Sequence, residues 1–147
     1  MPSLRRTLAP RDLVRWLARA EGWAEVDCIC QSTCTAAELL ADWSTWKREL
    51  VALSKSQNVH QRRASLVLLT TPVRDSADAR LADIAFANIA RLERERHILI
   101  TKAISCLLRA LTKHHRREVV AYLRDHADSL PKIAIRETRS KLKTGRK

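Results

Sequence analysis

The chain has 147 residues, the size of one domain that can bury a core without disulfides or metals as staples. It carries 28 Lys and Arg against 16 Asp and Glu, a formal charge of +12 that attracts polyanions, and nucleic acid fits that charge better than an anionic membrane surface. No run of about 18 apolar residues is present to span a bilayer, and Met-Pro-Ser-Leu-Arg-Arg leads into no apolar signal-peptide core, so a cytoplasmic protein is expected.

With 2 Gly, one Phe and one Tyr among many Leu, Ala, Arg and Glu, the composition favours helix throughout. Pro10 suits the start of a first helix striped by Leu13, Val14 and Leu17, and Gly22 suits its end. A second helix carries Trp23 to about Gln31, on which Trp23 and Asp27, four residues apart, share a face. Cys28, Cys30 and Cys34 follow. Together with Cys106 they read as reduced thiols, because their spacing matches no common zinc pattern and no secretory signal precedes them.

Thr35-Ala-Ala-Glu38 is a capping box that opens a third helix, with Leu39, Trp43, Trp46, Leu50 and Leu53 as its buried stripe. Asn58 caps a fourth helix that runs through Leu69 and is expected to end at Thr71-Pro72. Arg62, a candidate DNA contact, and Arg63 lie on it about 100° apart, so at most one is expected to reach any given site. Asp75 or Ser76 is the expected cap of a fifth helix, with Leu81, Ile84, Ala85, Ile89 and Leu92 on one side.

A sixth helix carries Ile100, Ile104, Leu107, Leu108 and Leu111 inward, and Lys102 and Arg109 together on another face, where they are candidates to track phosphates. Lys113-His-His-Arg-Arg117 is a basic turn before a seventh helix from Val119 to Ala127. Ser129-Leu-Pro131 caps and opens an eighth that frays into Lys-Thr-Gly-Arg-Lys. Lys113, Arg116, Lys141 and Lys143 are candidate sequence-independent phosphate contacts. His114 and His115 lack a Cys or His partner at metal-binding spacing, so no metal site is expected. Short connections between successive helices point to one all-α domain over residues 1–147, a HEAT-like solenoid of stacked antiparallel helix pairs with about seven or eight helices.

Four segments carry a family resemblance in a fixed order. They are Trp23-x-x-x-Asp27, then Ser56-x-Asn58-x-x-x-Arg62-Arg63-Ala64, then Ile100-Thr-Lys-Ala-Ile-Ser-Cys-Leu-Leu-Arg109, and finally Leu130-Pro-x-Ile-Ala-x-Arg136-Glu137. Together they resemble the AlkD-type DNA alkylation repair proteins. The resemblance implies a HEAT-like solenoid whose concave face holds duplex DNA, and a glycosylase that releases N3- or N7-alkylated purines while the lesion stays stacked.

It also implies that Asp27 is the catalytic carboxylate, Trp23 an active-site aromatic and Arg63 a phosphate contact. The protein would act as a monomer on alkylated double-stranded DNA, with no cofactor. The chain departs from the family pattern at Cys106, where a second active-site Trp is usual, and has 22 residues before Trp23 where relatives carry several further helices. A non-catalytic DNA-binding relative and a helical interaction scaffold are the competing classes; the scaffold leaves the basic charge unexplained.

Overall fold

The computed structural model describes residues 35–144, which form seven helices and, among the described residues, no strand. The first, α1 (Ala36–Ala41), is capped by Thr35, whose Oγ1 accepts from the Glu38 amide at 3.2 Å. The single third helix expected from the capping box is two helices. Asp42 leaves helical geometry at φ −130° and ψ 53°, and α2 (Trp43–Ser54) starts directly after it. Asp is a poor interior residue and a good boundary one. The buried stripe survives the break, because Leu39 on α1 and Trp46, Leu50 and Leu53 on α2 all enter the same core.

Asn58 caps α3 (Val59–Asp75) as its side chain predicts, its Oδ1 accepting from the amides of His60 at 2.8 Å and Gln61 at 3.2 Å. The helix does not stop at Thr71-Pro72. Pro72 lies inside it, buried, and its carbonyl still accepts from the Ser76 amide at 3.0 Å. Proline removes one amide but its fixed φ is itself helical, and burial of Pro72 and Val73 in the core offsets the lost bond. The longer α3 moves the next cap downstream. Asp78, rather than Asp75 or Ser76, opens α4 (Ala79–Leu92), accepting from the Arg80 amide at 2.9 Å.

His97 caps α5 (Ile98–Leu111), its Nδ1 accepting from the Leu99 amide at 3.2 Å. The turn after α5 leads into α6 (Arg116–Asp125), which starts and ends earlier than its sequence stripe indicates, and Lys132–Thr144 forms α7.

The helices stack in two layers. α3 packs chiefly against α5 and α5 against α7, while α2 packs against both α3 and α4. Ring contact between Phe86 of α4 and Tyr122 of α6, with centroids 5.3 Å apart, joins the second layer. Contact between every second helix is what repeated helix pairs produce, and the described residues form an all-α helical-repeat solenoid. No helix among them is long and apolar enough to cross a membrane.

Polar struts fix the layers. Asn88, fully buried, donates from Nδ2 to the carbonyls of Leu50 on α2 (3.3 Å) and Ser65 on α3 (3.0 Å), and accepts from Arg91. Arg96 donates to the carbonyls of Glu93 at 2.7 Å and Ser129 at 3.0 Å, joining the loops that precede α5 and α7. Buried Glu93 in turn meets His126 Nδ1 at 3.1 Å and accepts from the Tyr122 hydroxyl at 3.4 Å.

Candidate nucleic-acid interface

On α5, helical periodicity separates a core face from a narrow outer stripe. Ile100, Ile104, Leu107, Leu108 and Leu111 are fully buried, whereas Lys102 and Cys106 are exposed and Arg109 is half-exposed. Positions 102, 106 and 109 follow the four- and three-residue steps that keep side chains on one side of a helix. The guanidinium of Arg109 lies back along this stripe, with Nε donating to the Ser105 carbonyl at 3.3 Å and Nη2 3.4 Å from the Cys106 sulfur. Cys106, where the family pattern has an aromatic, is a free, exposed thiol under that guanidinium.

The neighbouring helix of the same layer continues the positive surface. Lys132, Arg136, Arg139 and Lys143 are exposed on α7 at steps of four, three and four residues, while Ala134 and Thr138 face the core. Glu137 is the one acidic residue of α7 and accepts from Ser105 of α5 at 2.7 Å. The sequence marks Lys141 and Lys143 as phosphate contacts and Arg136 only as part of a family segment, and it leaves Lys132 and Arg139 unmarked. Their spacing was the available signal, and it acquires meaning only once α5 and α7 are seen side by side. Grooves flank Lys132, one bounded by Arg96, Thr101 and Pro131 and the other by Ile135, Arg136 and Arg139.

The remaining candidates fall into different surroundings. Arg62 forms a bidentate pair with Glu95, at 3.1 Å and 2.7 Å, and also donates to the Ser56 carbonyl at 3.0 Å. Arg63, 7% exposed, turns the other way and donates from Nη1 to the Leu99 carbonyl at the start of α5. The two adjacent arginines thus diverge as their helical angle requires. Lys113 is exposed in the turn after α5. Arg116, also exposed, holds the Leu142 carbonyl at 2.7 Å and so ties the start of α6 to the end of α7. His115 is buried beside this turn with Nε2 unpaired. Trp23 and Asp27 lie outside the described residues.

A layered helical repeat with an acid-poor basic stripe is the class of molecule this fold defines. The family model for DNA alkylation repair enzymes matches residues 5–142, and the chain belongs to that family. A search of curated proteins returned no match.

Proposed function

We propose that the protein is a DNA glycosylase that hydrolyses the N-glycosidic bond of cationic N3- and N7-alkylated purines in duplex DNA. The observation that carries this reading is the family match across residues 5–142, which includes Trp23, Asp27 and Arg63. An alkylated purine already bears positive charge, so the base is a good leaving group. As its bond to the sugar breaks, positive charge develops on the sugar and water adds there.

Asp27 supports this step by attracting the developing charge and orienting the water. Trp23 offers a π face to the cation, worth about 0.5–2 kcal/mol. Arg63, anchored to α5 through Leu99, supplies a phosphate contact near the lesion. Lys102 and Arg109 on α5, with Lys113, Lys141 and Lys143, give sequence-independent phosphate contacts, and Lys132, Arg136 and Arg139 extend them along α7. Water and fixed charge suffice for this chemistry, so the protein acts without a cofactor, as a monomer in the cytoplasm. Arg62 and Arg116 act mainly as struts, since their donors are engaged within the protein.

Cys106 favours one competing reading, a DNA-binding relative that has lost catalysis, because the thiol cannot provide an aromatic face. Release of 7-methylguanine from methylated duplex DNA separates the two. Base release well above the spontaneous rate by the natural protein but not by Asp27→Asn supports the glycosylase. Salt-dependent DNA binding by both proteins without release supports the non-catalytic relative.

A further inference from the structure

Where α4, α6 and the approach to α7 meet, four residues close a circuit of hydrogen bonds. Glu93, the buried C-cap of α4, meets His126 Nδ1 with both carboxylate oxygens at 3.1 Å. His126 is the C-cap of α6, and its carbonyl accepts from the amides of Ser129 at 3.1 Å and Leu130 at 3.0 Å. The Ser129 carbonyl accepts from Arg96 Nη2 at 3.0 Å, and Arg96 Nη1 returns to the Glu93 carbonyl at 2.7 Å. The His126 ring also stacks on Tyr122, with centroids 3.9 Å apart and planes inclined by 5°.

What the circuit holds is the entry to α7. Leu130 and Pro131 are buried, and Lys132 is the first residue of the helix. Pro131 has no side-chain acceptor for the free amides of the first turn, and the positive end of the helix dipole disfavours a cation at Lys132. The first turn of α7 is therefore poorly fixed by its own sequence and depends on what anchors the residues before it. Arg96 and Lys132 line one groove, so the circuit ends beside the first cation of the stripe Lys132, Arg136, Arg139 and Lys143. A buried carboxylate is costly unless paired, and apolar packing often stabilises as well; hydrogen bonds add direction, which apolar packing lacks.

We propose that Glu93 and His126 are positioning residues for DNA binding. Neither touches the duplex; through Ser129 and Leu130 they set the first turn of α7 so that Lys132 meets a phosphate. The proposal rests on the duplex-binding reading above. It adds to that reading a control of the interface from the second layer, by two side chains that contribute no phosphate contact themselves.

The test is duplex binding followed by anisotropy over a salt series. Lys132→Ala should lower the magnitude of the slope of log affinity against log salt by about one. His126→Phe keeps a ring against Tyr122 but removes the nitrogen that meets Glu93, and should lower the slope by the same amount. The two substitutions together should lose no more than either alone, because they remove one contact. His126→Phe combined with Lys102→Ala on α5 should instead be additive, a loss of about two. His126→Asn, whose amide can still reach Glu93, should keep the natural slope; since asparagine is uncharged, this also separates positioning from a direct phosphate contact by His126. A natural slope in Lys132→Ala or His126→Phe, additive losses between those two, or a lowered slope in His126→Asn overturns the proposal and leaves duplex binding intact. Absence of any salt-dependent binding by the natural protein overturns it together with the duplex-binding reading. If circular dichroism shows that His126→Phe does not fold, His126→Leu is held to the same criteria, and His126→Asn decides between positioning and direct contact in either case.

Discussion

Ser105 of α5 donates its hydroxyl to the carboxylate of Glu137 on α7 at 2.7 Å, and the same Ser105 uses its carbonyl to receive Arg109. The seam between the two helices is therefore joined directly to the basic stripe. Ser105 is fully buried, so removing its acceptor strands a polar group in the core unless it finds a carbonyl of its own helix. Glu137→Ala should lower stability by about 1–3 kcal/mol, and Glu137→Gln, which keeps an acceptor, by clearly less. Urea unfolding of the two variants checks the order; equal losses would mean that the seam bond contributes little.

Asn88 tests the joint between the layers. Both hydrogens of its amide face carbonyl oxygens, those of Leu50 and Ser65. Asn88→Asp replaces the donor with a charged acceptor at a buried position and should destabilise more than Asn88→Ala, which costs about 1–3 kcal/mol through lost bonds and packing. Thermal unfolding near neutral pH gives the ranking.

These two joints also mark where sequence reading stops. Caps at Thr35 and Asn58 and the stripes of α4 and α5 are local patterns, and each is found where the side chains indicate. The break at Asp42 and the passage of α3 through Pro72 are decided by packing against other helices, which a local rule does not contain. Arg62 illustrates the same limit at the site: its partner Glu95 is 33 residues away, so a solvated arginine and a fixed strut look alike in sequence. The pairing of Lys102 with Arg109 on one face was readable from spacing alone. The continuation onto Arg136 was not, because it depends on α5 and α7 lying side by side.

Tyr122 makes stability fall in alkali. Burial raises the phenol above its ordinary value, and the nearby Glu93 carboxylate adds to the effect through its charge and its hydrogen bond. The folded state therefore holds this proton more tightly than the unfolded chain, whose tyrosine titrates near about pH 10. Its stabilising contribution is complete below that pH and is lost as pH rises further. Urea midpoints from about pH 8 to about pH 11 should show a steeper alkaline decline for the natural protein than for Tyr122→Phe. Parallel curves would remove Tyr122 from the account.

Asp78 makes the opposite contribution at low pH. The side-chain hydrogen bond to Arg80, then the bond from the Arg80 amide, hold its carboxyl below the ordinary value. Its contribution is present above the unfolded value near about pH 4 and disappears as pH falls through the lower folded value. The pair is exposed, so the effect is small. Asp78→Asn keeps a capping acceptor but loses the charge, and should blunt the acid side of the stability profile while leaving α4 helical by circular dichroism.

The division between phosphate contacts and struts is open to direct measurement. Lys102, Arg136 and Lys143 project from adjoining helices of one layer into solvent, whereas Arg62 and Arg116 hold an internal carboxylate and an internal carbonyl. Each lost phosphate contact should lower the magnitude of the salt slope of duplex binding by about one. Single Ala substitutions at Lys102, Arg136 and Lys143 should therefore flatten the slope without shifting the melting temperature. Arg62→Ala should do the reverse: a bidentate pair that is largely shielded from solvent is lost, stability falls by about 1 kcal/mol, and the slope is retained. A flattened slope for Arg62→Ala at unchanged stability would place its guanidinium on DNA and make Glu95 its partner only in the free protein.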